Sequence, residues 1–246
     1  MRILLLDIET APLVAHAWGL WDQRIGLSQI ISPGYTLCWA AKWLGEKDVM
    51  FSGLNESSNL SMLAKIHRLI DAADAVVHYN GTKFDMPTLN REFLTVGLKP
   101  PSPYKNIDLL QTARRQFKFH SNKLDYVAQT LGLGSKTKHK GHELWVQCMN
   151  NDPEGWKIMK EYNINDVVLL EKVYVSLLPW IKNHPNRNVF SDRGACCTNC
   201  GSQDYQRRGT YTTTTLQYHR YWCKKCGAWF RDHKAINSFK GFRNAG

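Results

Sequence analysis

The chain of 246 residues is long enough for one full α/β domain and a small additional module. Its hydrophobic content of 43% and charged content of 22% are typical of a globular protein and exclude a disordered chain. The apolar run after Arg2 ends at Asp7, which is too short for the core of a signal peptide, and no stretch has the length of a membrane span. We therefore expect a cytoplasmic, intracellular protein without a membrane partner.

The formal net charge of +11 is concentrated towards the C-terminus. Residues 188–246 contain 10 Lys and Arg against 3 Asp and no Glu, whereas residues 1–187 contain 22 basic against 18 acidic residues. Such a basic tail favours a polyanionic partner, because neutralising phosphates releases counterions and supplies much of the affinity for nucleic acid. A basic surface that serves only solubility is the alternative.

The first three quarters of the chain predict an α/β arrangement. Apolar runs bounded by turn residues predict strands at 2–10, 33–45, 47–53 and 75–81. Apolar residues at helical spacing predict helices at 56–74, 85–98, 105–117, 123–134 and 153–178. The buried face expected for the first helix comprises Leu60, Leu63, Ile66 and Leu69 or Ile70. Three strands, a helix, a further strand and then helices form the order of an α/β domain.

A change in composition predicts the domain boundary. The segment 183–194 is rich in Asn, Pro, Asp and Gly and has little periodicity, which is typical of a linker. We therefore predict a first domain over residues 1–182, a linker over 183–194 and a basic second domain over 195–246.

Acidic residues lie at or just after the ends of two predicted strands. Asp7 and Glu9 lie two residues apart near the end of the first strand, so both side chains leave the same face of the sheet. Converging carboxylates repel one another unless a cation lies between them, and Mg²⁺ prefers such ligands. Asp85 follows the strand at 75–81 and opens the next helix, where a role as N-cap is the alternative to metal binding.

The last predicted helix of the domain carries the sequence YNIND. Its Tyr162 and Asp166 are separated by one helical turn and share a face. Taken alone, this pentapeptide is typical of a solvated helix surface. Another acidic residue, Asp108, precedes an apolar helix segment and is predicted to be an N-cap instead of a metal ligand.

Taken in order, the sequences DIET, YNGTKFDMP and YNIND resemble the three exonuclease motifs of the DEDD superfamily of 3′→5′ exonucleases. The patterns D-x-E, N-x-x-x-F-D and Y-x-x-x-D are similar to those of its tyrosine subclass, as in the proofreading domain of family B DNA polymerases. The histidine subclass would have His at residue 161, which is Glu here, and the segment 121–136 is also similar to polymerase domains. The resemblance implies a ribonuclease-H-like fold, with a mixed five-stranded sheet whose first three strands are antiparallel and which helices flank.

The resemblance also implies four carboxylate ligands for two Mg²⁺ or Mn²⁺ ions, namely Asp7, Glu9, Asp85 and Asp166. In that scheme Asp7 bridges both ions, Glu9 and Asp166 complete the first site, and Asp85 holds the second.

Three further residues receive roles from the same resemblance. Tyr162 would orient the attacking water, because a tyrosine with a pKa of about 10 is a poor base at neutral pH. Asn80 and Phe84 would border the terminal nucleotide. A place in the hydrophobic core is the alternative for Phe84.

Five of the seven cysteines lie within residues 196–226. Two matched C-x-x-C-G pairs, Cys197 with Cys200 and Cys223 with Cys226, flank 22 residues of strand-forming sequence. Four thiolates favour one structural Zn²⁺, and the module resembles a zinc ribbon. Cys196 is the alternative to Cys197, and the spacing also permits a redox pair or an iron–sulfur cluster. The two remaining cysteines, Cys38 and Cys148, are predicted to be buried and inert.

Basic and aromatic residues alternate along this module, which favours contact with phosphates and unstacked bases. The predicted nucleic-acid contacts are Arg207, Arg208, Arg220, Lys224 and Lys225. Arg231 and four tyrosines accompany them: Tyr205, Tyr211, Tyr218 and Tyr221. We expect Trp222, Trp229 and Phe230, which lie beside the cysteines, to form the small core of the ribbon.

The sequence therefore predicts a metal-dependent 3′→5′ exonuclease that prefers DNA, as single strands, over RNA and uses its zinc ribbon to hold nucleic acid. An exoribonuclease and a non-cleaving zinc-ribbon adaptor are the alternatives, and the presence of all five motif residues argues against the adaptor. A structure-specific endonuclease would also use carboxylate-bound metal, but these motifs are not its pattern.

Overall fold

The computed structural model describes residues 1–191 and 194–238. Within the unit Arg2–Tyr174, seven strands are present. They are β1 (Ile3–Thr10), β2 (Val14–Ala15), β3 (Ile30–Ser32), β4 (Thr36–Trp43), β5 (Met50–Gly53), β6 (Ala75–His78) and β7 (Lys105–Asp108). Five of them form one mixed sheet in the order β5-β4-β1-β6-β7, while β2 and β3 pair separately. β1, β4 and β5 are antiparallel, and β6 and β7 extend the sheet parallel to β1. The predicted fold class is thereby confirmed.

The α-helices alternate with the later strands of this sheet and then follow them along the chain. They are α1 (Asn59–Asp71), α2 (Asp85–Thr95), α3 (Leu109–Gln116), α4 (Leu124–Thr130), α5 (His142–Met149) and α6 (Pro153–Leu177). Short 3₁₀ helices cover Leu27–Gln29, Leu178–Trp180 and Arg187–Phe190. Across the part of the chain that the structure describes, no helix combines the length and the apolar character that crossing a bilayer requires.

Two details of the predicted elements are wrong. The helix predicted at 105–117 begins only at Leu109, because Lys105–Asp108 pair with β6 as a parallel strand and tertiary pairing overrides the local helical period. On α1, Leu60 is exposed and Met62 is buried instead, since Met62 lies one turn before the buried Ile66. The short helix α5 and the β2–β3 hairpin were not predicted.

The two faces of strand β1 carry different side chains, and the acidic residues lie on only one of them. Leu4, Leu6 and Ile8 belong to a buried cluster that includes residues of α1 and α2. Because side chains alternate along a strand, Asp7 and Glu9 project from the opposite face. Glu9 pairs with Cys38 of β4, which belongs to a second buried cluster that includes residues of α5 and α6. The same alternation that builds the core therefore places the acids on the α6 side of the sheet.

The unit that begins at Val175 contains a second sheet. Its strands are β8 (Tyr205–Thr212), β9 (Leu216–Cys223), β10 (Trp229–Arg231) and β11 (Asn237–Ser238), and β9 pairs antiparallel with the other three. The predicted linker at 183–194 contains the 3₁₀ helix Arg187–Phe190 and two residues outside the described ranges. The domain boundaries stay a prediction.

The core of this second unit is small. Cys197, Cys223 and Ala228 are buried, and Phe230 packs against them as expected. The same expectation is wrong for Trp229, whose side chain is 51% exposed, because alternation along β10 turns it away from the face that carries Phe230. In the first unit, Cys38 and Cys148 are buried free thiols, as predicted.

Candidate active site

Asp7, Glu9 and Asp166 form an acidic cluster in which one carboxylate oxygen of each residue lies within 4.8 Å of the others. β1 supplies the first two residues, and α6 supplies the third. Asp166 is buried, and its Oδ1 atom has no hydrogen-bond partner within the described part of the chain. Because an unpartnered buried oxygen is costly, this donor set fits a hard divalent cation such as Mg²⁺ or Mn²⁺.

Asp85 lies beside this cluster without being one of its three members. Its Oδ1 atom accepts a hydrogen bond from the backbone N–H of Ile8 at 3.2 Å, so it is held between the positions of Asp7 and Glu9 on β1. Asp85 is the first residue of α2, and the preceding Phe84 makes no side-chain cap. The alternative that Asp85 serves simply as the N-cap is therefore not what the structure shows.

Burial and mutual repulsion raise the pKa values of these acids. Burial raises the pKa of Glu9 to about 8, although the Lys136 ammonium opposes the shift. Burial also raises the pKa of Asp85 to about 7, against hydrogen bonds from backbone N–H groups. The pKa of Asp7 lies well above its ordinary value, because of burial first and of the neighbouring acids second. A cation among these groups would favour their charged forms.

Lys136 places a positive charge against the cluster. Its Nζ atom donates to Asp166 Oδ2 at 2.5 Å and to Tyr162 Oη at 2.9 Å. Burial disfavours the ammonium form, but these two partners more than offset it and hold the pKa of Lys136 above its ordinary value. Lys136 was not predicted as a site residue, although it is the last residue of the segment 121–136 that is similar to polymerase domains.

Tyr162 lies on the face of α6 that carries Asp166, as the one-turn spacing predicts. Its ring makes edge contacts with His139 and Trp145, with centroid distances of 4.8 and 6.1 Å. Burial, followed by the charge of Asp166, raises the pKa of Tyr162 above its ordinary value. The phenol is therefore protonated at neutral pH and suits hydrogen bonding better than general-base catalysis.

Asn163 is a site residue that was not predicted. It is fully buried, and its Nδ2 atom donates to Asp7 Oδ2 at 2.7 Å. Its Oδ1 atom accepts the weaker hydrogen bond of the Cys38 thiol at 3.8 Å. Asn163 lies three residues before Asp166 on the same helix, and this spacing is the signal that places both on one face.

A cleft of about 530 Å³ opens beside Asp7. The residues that line it are Asp7, Tyr79, Asn80, Leu110, Arg114, Asn122, Lys123, Leu124, Asp125 and Lys136. Three of these are cationic against two acidic residues, Asp7 and Asp125, and the volume is in the range of small-ligand sites. The cleft therefore suits an anionic ligand of about the size of a nucleotide.

The loop after β6 positions Asn80 in this cleft. Asn80 adopts a left-handed φ of 70°, and its backbone N–H donates to Asp108 Oδ1 at 3.0 Å. The same oxygen accepts the backbone N–H of Leu110 at 3.0 Å, which confirms the predicted N-cap role of Asp108. Phe84, farther along this loop, is 46% exposed, so a place in the core is wrong for it.

The four predicted thiols of the second unit converge. The Sγ atoms of Cys197, Cys200, Cys223 and Cys226 lie within 4.8 Å of one another, and two of the sulfur pairs are 3.6 Å apart. Tetrahedral zinc with Zn–S bonds of about 2.3 Å separates its sulfurs by about 3.8 Å, so the cluster fits this ion. Cys196 is outside the group, and its backbone N–H donates to Asn188 Oδ1 at 2.6 Å.

The predicted nucleic-acid contacts of the ribbon are exposed but do not share one face. Arg207 pairs across the sheet with Tyr221, the neighbour of Arg220 in β9. Because neighbouring strand residues face opposite sides, Arg207 and Arg220 project in opposite directions. The other predicted cations, which are also exposed, are Arg208, Lys224 and Lys225.

Comparison with known proteins identifies a family that this chain matches. The model of the RNase_H superfamily matches residues 4–178. The family B DNA polymerase from the hyperthermophilic archaeon Pyrobaculum calidifontis is similar in structure, with a TM-score of 0.53, 18% identity and coverage of 72% of this chain. The match spans 24% of that polymerase, and at this identity it shows a shared fold. No match was found among curated proteins.

Proposed function

The chain belongs to the RNase H superfamily, and from this premise we propose that it is a metal-dependent 3′→5′ exonuclease of the tyrosine subclass of DEDD enzymes. Membership of the superfamily and the polymerase-like fold support nuclease activity in general. The direction of cleavage belongs to the proposal. The observation that best supports metal-dependent nuclease activity is the convergence of Asp7, Glu9 and Asp166 beside a cleft that three cationic residues help to line.

The acidic residues are proposed to hold two Mg²⁺ or Mn²⁺ ions. Asp7, Glu9 and Asp166 have the spacing to share one ion, and Asp85, whose Oδ1 accepts the backbone N–H of Ile8, would help to hold the second. When bound, such ions lower the pKa of an attacking water and stabilise the leaving 3′ oxygen of an in-line displacement.

The remaining residues of the site orient these groups. Tyr162, kept protonated by its raised pKa, is able to donate its hydroxyl hydrogen to the attacking water while it accepts the hydrogen bond of Lys136. Asn163 fixes the carboxylate of Asp7. In this scheme both are positioning residues that act on the direction of attack.

The substrate is proposed to be a nucleic-acid strand with a free 3′ end, DNA in preference to RNA. Asn80 lines the cleft and the half-exposed Phe84 lies farther along the same loop, so both would border the terminal nucleotide. The cations Arg114 and Lys123 of the cleft would contact the phosphates that follow. The four-thiol module, with one Zn²⁺, would assist binding through its excess of basic residues.

The test is digestion of single-stranded DNA and RNA of one sequence, labelled at the 5′ end, with Mg²⁺ or Mn²⁺. We expect a ladder that shortens from the 3′ end, release of mononucleotides, and faster cleavage of DNA. Asp7→Ala should abolish the reaction, whereas Asp48→Ala, which removes an exposed acid elsewhere, should not affect it. Internal cuts, or cleavage that survives Asp7→Ala, would refute the proposal, and faster cleavage of RNA would favour the exoribonuclease.

A further inference from the structure

A second cleft, of about 860 Å³, lies within the unit that begins at Val175. One of its walls is formed by residues of the 179–199 segment, including Lys182 and His184. The other wall is a face of the ribbon sheet that carries Tyr211, Arg220 and Trp229. The cleft is thus bounded by aromatic and basic side chains.

Strand register explains why one face of the ribbon sheet carries this combination. Tyr218 and Arg220 lie two residues apart on β9 and therefore project from the same face. Tyr211 pairs with Tyr218 across β8, and Arg231 pairs with Arg220 across β10. Trp229, two residues before Arg231, joins them. The buried Cys223 projects from the opposite face, so this face is free of the thiol cluster.

The arginines of this face lie against aromatic rings. The guanidinium of Arg220 lies 4.7 Å from the ring centroid of Trp229, and that of Arg231 lies 3.7 Å from the centroid of Tyr218. Each arginine also donates one hydrogen bond to a backbone carbonyl, at 3.0 and 3.1 Å. Each guanidinium group therefore has N–H donors left for a phosphate. Because the rings and the backbone already hold it in place, binding a phosphate would cost little side-chain entropy.

Exposure and charge indicate what the cleft would hold. Trp229 is 51% and Tyr211 46% exposed, so ring surface remains available for stacking. Lys182, Arg220 and Arg231 give the lining three cations against a single acidic residue, Asp232, within the described part of the chain. A single nucleic-acid strand matches both features, because its phosphates bind cations and its unpaired bases stack on aromatic rings. An acidic peptide would interact with the cations but not stack on the rings.

We propose that this cleft binds single-stranded nucleic acid, with a base stacked on Trp229 and with phosphates bound by Arg220 and Arg231. The inference rests on the proposed function for the class of ligand, and it adds the place where the strand is held. It also adds Arg231 and Trp229 to the predicted nucleic-acid contacts. It removes Arg207 from them, because Arg207 projects from the other face of the ribbon sheet.

The test is fluorescence anisotropy with a labelled oligothymidylate, with Mg²⁺ omitted so that cleavage plays no part. Trp229→Ala should weaken binding about tenfold, the loss expected for one stacked base. Arg220→Ala and Arg231→Ala should each reduce the slope of log K against log salt concentration by about 0.7. Arg207→Ala is the matched control, because it removes the same charge from the same sheet and should change neither value. The zinc content of each variant shows whether the module is folded.

Two outcomes would overturn this inference. One is equal weakening by Arg207→Ala and Arg220→Ala, which would mean that only net charge matters. The other is unchanged binding in all three cleft variants. Failure of the proposed function is separable, because Asp7→Ala removes cleavage under that proposal but should leave oligothymidylate binding intact. A chain that binds through the cleft and cleaves nothing would refute the exonuclease alone.

Discussion

The side-chain amide of Asn163 donates a hydrogen bond to Oδ2 of Asp7 at 2.7 Å, although 156 residues separate the two in sequence. The bond joins strand β1 to helix α6, which supply the first and the last of the acidic motifs. Because Asn163 is fully buried, its amide has few other orientations. It therefore fixes the direction in which the Asp7 carboxylate meets Glu9 and Asp166.

Replacing Asn163 should weaken metal binding without removing a metal ligand. Loss of a group that orients a ligand lowers metal affinity or activity by about 10- to 100-fold. We expect Asn163→Ala to raise the Mn²⁺ dissociation constant in titration calorimetry by that factor, and to lower the cleavage rate in parallel. Glu161→Gln, at an exposed neighbouring position, should leave both values unchanged. Unaltered Mn²⁺ affinity in a folded Asn163→Ala protein would contradict this role.

Lys136 should contribute most to the free energy of unfolding when no metal is bound. Its ammonium is the nearest counter-charge to the buried Asp166. Removing one partner of a fully buried pair costs about 3–5 kcal/mol, and the loss here should lie at or below the lower end because the Lys136 side chain is 31% exposed. We expect Lys136→Met to lower the free energy of unfolding in urea by this amount without Mg²⁺, and by less with saturating Mg²⁺. The exposed Lys138→Met serves as the control. A loss of the same size with and without Mg²⁺ would speak against electrostatic compensation.

The metal-free protein should become less stable as pH rises. Glu9 has a pKa of about 8 in the folded chain against an ordinary value of 4.5, and Asp85 has about 7 against 3.8. Between the lower and upper values the folded state binds more protons than the unfolded state, so the free energy of unfolding falls with increasing pH. Mg²⁺ should therefore raise the melting temperature more at about pH 8 than at about pH 6.

The Glu9→Gln variant provides the control for this pH dependence, because it removes the carboxyl group whose pKa of about 8 is the higher of these two values. Its metal-free melting temperature should depend less on pH than that of the unaltered chain. Two results would contradict this prediction: an equal Mg²⁺ effect at both pH values, or a metal-free melting temperature that rises between them. Either would show that deprotonation of the buried acids does not destabilise the folded chain.

The adjacent residues Cys196 and Cys197 offer a sharp test of the proposed zinc site. Cys197 contributes its thiol to the converging group, whereas Cys196 is buried outside it. Cys197→Ser should lose the bound zinc, measured as metal content of the purified protein, while Cys196→Ser should retain one equivalent. Since both changes replace sulfur by oxygen at neighbouring positions, zinc loss in Cys196→Ser alone would reverse the assignment.

Much of the fold and the motif residues could be predicted from the sequence, because they depend on local patterns. Alternation along β1 predicted that Asp7 and Glu9 share a face, and the one-turn spacing predicted the same for Tyr162 and Asp166. The four thiols were predicted from C-x-x-C spacing alone. In each case a short segment determines the geometry.

The residues that were missed depend on tertiary contacts. Lys136 reaches the site from an irregular segment after α4, and its contact with Asp166 spans 30 residues. Lys105–Asp108 became a strand because β6 lies beside them, not because of their own propensity. Trp229 is exposed because pairing with β9 sets its face. None of these contacts has a signal within its own segment.

The most direct test of the central claim compares linear and circular single-stranded DNA of identical sequence, incubated with the protein and Mg²⁺. The proposed enzyme starts at a free 3′ end, so we expect the linear strand to be degraded to mononucleotides and the circle to stay intact over the same period. Cleavage of the circle at a rate similar to that of the linear strand would contradict the exonuclease and establish an endonuclease instead.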